Sequence, residues 1–229
     1  MKIVIADFDG TLAAIRRNPK KVKISKKTLA VLEKFHTVGV KVIIISSRPK
    51  KFLQKQFPSF VTFLPSRGNT TKINAAHVKL IQKTISNFKW QNGIKLENTA
   101  IGIVVHYRKA RCVNVNALRT LVEQIAKPVN AKIVNGRKAF EVFSVELNDK
   151  KRAVENLLKG VKGSVYFFGD DDSDAEAAEV VLKRGGEAFF INTYERSYTP
   201  DGAKKLNGIA HLRKALLQIV KSRDRKKGS

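Results

Sequence analysis

The sequence predicts an α/β fold: a Rossmann-like parallel-sheet core interrupted by an inserted α/β subdomain. Three observations carry this. The runs "KIVIADF", "VKVIIIS", "SVYFFGD" and "EAFFIN" are apolar without polar alternation, the pattern of strands buried on both faces. Helical periodicities separate them, which implies a parallel sheet with helices on both sides. Between residues 72 and 144 the pattern changes to helix plus alternating strands and a hairpin signal, and then the first pattern resumes. With 229 residues, 43% of them hydrophobic, the chain can bury a core plus an insert.

The elements follow in order. Lys2–Phe8 reads as a buried strand. Ser25–Thr37 reads as a helix, with Leu29, Leu32 and Phe35 at helical spacing, Ser25 as N-cap and Gly39 as its stop. Val40–Ser46 is a second apolar strand, Pro49–Gln56 a short helix and Phe60–Leu64 a third strand. In the insert, Asn74–Phe88 and Val115–Ala126 are helices, the latter ended by Pro128, and Asn98–Arg108 is a strand. Ala131–Ser144 is a hairpin around Asn135-Gly136, a two-residue turn signal. The core resumes with helix Lys150–Leu158, strand Ser164–Asp170, helix Asp174–Arg184, strand Glu187–Asn192 and a last helix over Ile209–Val220. The expected domains are a core of residues 1–71 and 145–229 and an insert of 72–144.

Composition narrows the function. No apolar run approaches the about 18 residues that span a bilayer. The start, Met-Lys followed by a strand, lacks the apolar region of a signal peptide, so a cytoplasmic location is expected. Cys112 is the single cysteine, which excludes a disulfide within this chain and a cysteine-rich metal site. Lys and Arg outnumber Asp and Glu by 45 to 19, for a net charge of +26. Such a field attracts polyanions and small phosphorylated substrates alike. Nucleic-acid contact is therefore one reading of the charge, though not the favoured one. The basic runs hold few aromatics, and no helix-turn-helix or zinc-finger spacing is present.

Against that charge, the strand ends are acidic. The first strand delivers Asp7 and Asp9, followed by Gly10 and Thr11. The second delivers Ser46, Ser47 and Arg48, and "FFGDDDSD" delivers Asp170, Asp171, Asp172 and Asp174. Open parallel sheets place ligands at the carboxyl ends of their strands. Two strands that both end in carboxylates can converge on one cation, and oxygen-only ligands suit Mg²⁺. A spacing of two puts Asp7 and Asp9 on one side of an extended chain, with Phe8 on the other. His36, His77 and His211 fall on predicted helices without metal-ligand spacing and read as structural or surface residues.

"DFDGT", "VIIISSRP", "NDKKRAVENLL" and "GDDDSD" resemble, in order, the four motifs of the haloacid dehalogenase-like phosphohydrolases, whose larger α/β cap lies between the second and third. Within that superfamily the chain is most similar to the trehalose-6-phosphate phosphatases. "VVHYR" and "GRKAFEV" resemble their cap signature and cap hairpin. "SSRP" resembles their Ser-Gly-Arg-Pro with Ser47 for the glycine, and "DKKRAV" their Asp-Lys-Gly-x-Ala-Val with Lys151 for the glycine. "SRGN" resembles their His-Gly segment only weakly, with Arg67 where the histidine is expected.

The resemblance implies a Mg²⁺-dependent phosphatase acting through an aspartyl-phosphate. Asp7 is then the nucleophile, Asp9 the acid/base, Ser46 a donor to the phosphoryl group and Lys150 a fixed positive charge. Asp7, the Asp9 carbonyl and Asp170 are the implied metal ligands, with Asp171 or Asp174 in support. Gly10, Thr11, Arg48, His106, Arg108 and Glu141 are the implied substrate contacts, with Tyr107 facing the opposite side of its strand. The expected partner is a small phosphorylated sugar, met by a monomer. Two alternatives stay open: a phosphatase for another small phosphomonoester, and a basic nucleic-acid-associated protein on the same fold.

Overall fold

The structure is a computed structural model and describes residues 1–16, 18, 21–64, 74–136, 138–144, 150–192 and 199–222. The contacts divide the chain into two compact units. The first comprises Met1–Gly68, Lys150–Asp170 and Asp174–Ser229, and the second Asn69–Asp149 with Asp171–Ser173.

The first unit is built on a six-stranded parallel sheet. Its strands are β1 (Lys2–Ala6), β2 (Lys41–Ile45), β3 (Thr62–Leu64), β8 (Ser164–Gly169), β9 (Glu187–Asn192) and β10 (Lys204–Asn207), in the order β10-β9-β8-β1-β2-β3. Alternate residues of each strand feed two separate cores, because successive side chains leave a strand on opposite faces. Val4, Ala6, Val42, Ile44 and Phe168 pack under helices α1 (Lys26–Thr37) and α7 (Ile209–Lys221), through Leu32, Phe35, Leu212 and Leu216. Ile3, Ile5, Ile43, Ile45 and Phe167 pack under α5 (Lys150–Leu158) and α6 (Asp172–Lys183), through Val154, Leu158, Ala178 and Val181. A short helix, α2 (Lys50–Gln54), follows Pro49. Ser25 caps α1 as expected, its side chain accepting from the Thr28 N–H.

The second unit is a four-stranded antiparallel sheet, β4 (Lys95–Asn98), β5 (Gly102–His106), β7 (Ala139–Ser144) and β6 (Ala131–Gly136), in that order. Helices α3 (Ala75–Ser86) and α4 (Val115–Ala126) cover one face, burying Ile81, Ile85, Leu118 and Val122 against Ile103, Val105, Phe140 and Val142. The His77 ring ties α3 to this sheet through the Ser144 hydroxyl at 2.9 Å and the Val129 carbonyl at 2.6 Å. His77 is structural, and so are His36, stacked on Phe60, and His211, whose Nδ1 accepts from the Asn207 N–H. Tyr107 lies against Phe140 on the helix-covered face, and this burial raises its phenol pKa, against the opposing pull of the Arg108 charge.

Four expectations are corrected. The strand expected over Asn98–Arg108 is interrupted: Thr99 Oγ1 accepts from the Ile101 and Gly102 N–H groups, and Gln82 Nε2 donates to the Thr99 and Gly102 carbonyls. Those bonds hold a tight turn, so β5 starts at Gly102 and the preceding segment forms the unanticipated β4. The hairpin does not turn at Asn135-Gly136. Gly136 still pairs with Ala139, and the turn follows it, with Lys138 at a φ of 50°. A turn two residues earlier would shorten the ladder, which runs unbroken from Ala131 opposite Ser144 to Gly136 opposite Ala139, and pairing outweighs the turn preference. Helix α6 starts at Asp172, two residues before its expected start, which puts Asp174 inside its first turn. Finally, β10 was not anticipated at all. The "SRGN" segment with Arg67 and the basic tail beyond Ser222 lie outside the described residues.

Candidate active site

The acidic site grows from the adjacency of β1 and β8. The Asp7 N–H donates to the Phe168 carbonyl at 2.9 Å, so the pairing of the two strands extends to the first carboxylate. Phe8 turns the other way into the core, edge-on to the rings of Phe52 and Phe57. The chain then folds back on itself, with the Leu12 and Ala13 N–H groups donating to the Phe8 carbonyl and Gly10 N–H to that of Ala13. Thr11 Oγ1 is thereby brought to 3.1 Å from Asp170 Oδ1.

On the other side of the pair, β8 ends at Gly169 and Asp170 follows. Asp174, in the first turn of α6, reaches back so that its Oδ2 accepts from the Asp170 N–H at 3.0 Å. A carboxylate there is favoured by the positive end of the helix dipole. Gly169 is required by this path, because a Cβ on it would lie 2.4 Å from that of Asp174.

Asp7, Asp170 and Asp174 each offer one carboxylate oxygen, and the three oxygens lie within 4.8 Å of one another. All three residues are buried, Asp174 completely. Lys150 enters this cluster from the first residue of α5. Its Nζ lies 2.7 Å from Asp7 Oδ1 and 2.7 Å from Asp174 Oδ1, and the residue is 3% exposed. A cation is disfavoured at a helix N-terminus, so the two carboxylates hold Lys150 where the helix alone would not. One ammonium against three carboxylates leaves these four groups with a formal charge of −2. Buried charge of that size calls for a compensating cation, and an all-oxygen donor set fits a hard divalent ion such as Mg²⁺.

Gly10 keeps the approach to Asp170 open. Its φ is +94°, and a Cβ on it would sit 2.3 Å from Asp170 Oδ2. Gly39 separates the two effects: its φ is +71°, but a Cβ on it would meet nothing within 4 Å. Both glycine-to-alanine changes carry the penalty of a left-handed backbone. Only Gly10→Ala also displaces a buried carboxylate, so urea unfolding should show it to be the more destabilising by more than about 1 kcal/mol.

Asp9 is clamped by Arg48, with Nε to Oδ2 at 2.8 Å and Nη2 to Oδ1 at 2.7 Å, a two-pronged arrangement suited to guanidinium and carboxylate. Arg48 thus meets Asp9, while Thr11 meets Asp170. Ser46 is buried and its Oγ accepts from the Arg48 N–H at 3.2 Å, which leaves its hydroxyl proton to donate elsewhere. Asp171 Oδ1 accepts from Ser173 Oγ at 2.7 Å, and the cluster of three converging carboxylates does not include it.

His106, Arg108 and Glu141 belong to the second unit. Glu141 pairs with Val104 and Val134 across β7, on the sheet face opposite the α3 and α4 core. His106 is on that same face and meets Glu97, Nε2 to Oε2 at 2.9 Å. Arg108 follows β5 in the turn closed by Ala110 N–H to the Tyr107 carbonyl. Glu97 was missed from the sequence because β4 carries no apolar run to announce it.

Comparison with known proteins places the chain in a family. The trehalose-phosphatase family matches residues 71–209, well over half of the chain, and the haloacid dehalogenase-like hydrolase family matches residues 4–87. Probable trehalose-phosphate phosphatase I of Arabidopsis thaliana is 25% identical over 226 residues, covering 82% of this chain and 59% of the plant protein. The chain therefore spans somewhat over half the length of that relative. Two solved structures share the fold at 17% identity. The C-terminal domain of C. albicans trehalose-6-phosphate phosphatase has a TM-score of 0.75, covering 96% of this chain and 92% of that one. A trehalose-6-phosphate phosphatase related protein has a TM-score of 0.74, covering 96% and 97%. Among the described residues no helix is long and apolar enough to cross a membrane. Fold, acidic site and matched span agree: this chain belongs to the trehalose-phosphatase family.

Proposed function

We propose that the protein is a Mg²⁺-dependent phosphomonoester hydrolase that cleaves trehalose 6-phosphate through an aspartyl-phosphate. The observation that carries the reading is the buried cluster of Asp7, Asp170 and Asp174 with Lys150 at the ends of β1 and β8. In this reading an Asp7 oxygen attacks phosphorus, the bond from phosphorus to the sugar oxygen breaks, and Asp9 protonates that oxygen. Asp9 then takes a proton from water as the water oxygen attacks phosphorus, which frees Asp7 and inorganic phosphate. Arg48 holds both oxygens of Asp9 and sets its orientation. The Ser46 hydroxyl and Lys150 ammonium stabilise charge on the phosphoryl oxygens.

Asp7, Asp170 and Asp174 would hold Mg²⁺, which when bound supplies the positive charge that lets two anions approach. We assign Asp171 no ligand role, and the Asp9 carbonyl the additional one. The first unit is the catalytic core and the second the cap, from which His106, Arg108 and Glu141 contact the sugar.

A phosphate-release panel tests the assignment. Trehalose 6-phosphate should be cleaved with a kcat/KM at least tenfold above that of glucose 6-phosphate or p-nitrophenyl phosphate, and excess EDTA should abolish release from all three. Glu141→Ala should raise KM about 10- to 100-fold for trehalose 6-phosphate, the range of one lost hydrogen bond to a charged group, and leave KM for p-nitrophenyl phosphate unchanged. Equal effects on both esters would remove Glu141 from the sugar site. Preference for another ester would overturn the substrate and keep the chemistry.

A further inference from the structure

The two helical layers that sandwich the parallel sheet differ in electrical character. α1 and α7 pack together on one face and carry Lys26, Lys27, Lys34, Arg213, Lys214 and Lys221 against a single acid, Glu33. α5 and α6, on the opposite face, carry Lys150, Lys151, Arg152 and Lys183 against Glu155, Asp172, Asp174, Glu176 and Glu179. Among these four helices the basic surplus therefore falls on the α1/α7 side. Lys27 and Lys34 are seven residues apart, as are Lys214 and Lys221, and all four are exposed. Seven residues are two helical turns, so each pair lies on one side of its helix, about 10 Å apart. α1 and α7 are in contact, so the two exposed pairs belong to one helical layer.

We propose that the α1/α7 layer binds the phosphate backbone of double-stranded nucleic acid without reading its sequence. A surface of exposed ammonium groups with one carboxylate is matched to closely spaced phosphates, and their neutralisation releases counterions. Single strands are the poorer match, because their binders stack bases on exposed aromatics. Phe35, the one Phe, Tyr or Trp of α1, is fully buried, and α7 has none. A lipid surface is also the poorer match, since a helix lying in a membrane interface needs a free apolar face. Here the apolar faces, Val31, Leu32, Phe35, Leu212, Leu216 and Ile219, are spent on the core. Binding would be through phosphates alone, which position a protein but carry no sequence information. None of these lysines belongs to the acidic site, so duplex binding does not depend on the phosphatase reading.

The test is fluorescence anisotropy of a labelled duplex of about 24 base pairs with the full chain, titrated over a range of NaCl concentrations. Each lysine in phosphate contact contributes about 0.9 to the slope of log K against log salt. The quadruple variant Lys27→Gln, Lys34→Gln, Lys214→Gln, Lys221→Gln should flatten that slope by about 3 to 4 and weaken binding more than tenfold. A control removes the same charge at the ends of α5 and α6: Lys159→Gln, Lys162→Gln, Lys183→Gln, Arg184→Gln. It should change the slope by less than about 1. Equal changes in the two variants would show that net charge alone attracts the duplex and would overturn the assignment. So would an unaltered slope in the first variant, or binding to phosphatidylserine-rich vesicles without binding to the duplex.

Discussion

Asp7→Asn should lower phosphate release from trehalose 6-phosphate by at least about three orders of magnitude while the protein stays folded. The substitution is close to isosteric. An asparagine Oδ1 still accepts from the Lys150 Nζ that lies 2.7 Å from the Asp7 oxygen, so the lost element is one negative charge and the carboxylate proposed as nucleophile. Removing the attacking group from a covalent mechanism costs far more than removing a group that assists it. Asp9→Asn provides the contrast. With p-nitrophenyl phosphate, whose leaving group needs no proton, the first step should survive Asp9→Asn and fail in Asp7→Asn. Single-turnover release of p-nitrophenol separates the two. An Asp7→Asn protein that kept more than a few per cent of the parent rate would sink the aspartyl-phosphate mechanism.

Lys150→Ala should be the most destabilising single change at the site, by about 3–5 kcal/mol when no divalent cation is present. That is the typical cost of removing one partner from a buried ion pair and leaving the other charged in low dielectric. Lys150 faces two partners, Asp7 and Asp174, and the latter is fully buried. Mg²⁺ should restore part of the loss, because an ion that binds only the folded state stabilises it by RT ln(1 + [Mg²⁺]/Kd). The readout is the urea midpoint with and without Mg²⁺ in parent and variant. The Mg²⁺-induced rise should be larger in the variant. A loss below about 1 kcal/mol would mean that the cluster is not held charged by Lys150.

The parallel core could be read from the sequence because its inner strands have nothing polar to hide. β1, β2, β8 and β9 are apolar on both faces, as "KIVIA" and "EAFFIN" show. Two of the four edge strands could not, although β3 and β6, the other two, were expected. β4 is "KLEN" and β10 is "KKLN", short and charged, the composition that keeps an edge from pairing with another chain. The same residues that protect these strands remove the pattern by which a strand is recognised. Asp7 and Asp170 were legible because each follows an apolar run, whereas Asp174, inside the first turn of α6, could not be told from Asp171. The site's cross-connections were not legible, since nothing local relates Arg48 to Asp9 across 39 positions. The pairing of His106 with Glu97 depends on the register of β4 against β5, and a strand that is not seen has no register. The hairpin turn shows the reverse failure: Asn135-Gly136 is a strong local signal, yet Asn135 serves instead as acceptor for Arg119 at 2.6 Å.

The position of β1 between β2 and β8 has a consequence for how the chain is made. β1 and β2 emerge before β8 and can pair at once, but the second edge of β1 waits for β8, about 120 residues after the end of β2. At translation rates of about 5–20 residues per second, that interval is roughly 6–24 s. Throughout it the nascent half-sheet presents an open apolar edge, one that a chaperone would cover and that crowded neighbours would exploit. Asp7 sits at the end of that edge. The cell meets β1 as an aggregation hazard before the acidic cluster at its end can assemble.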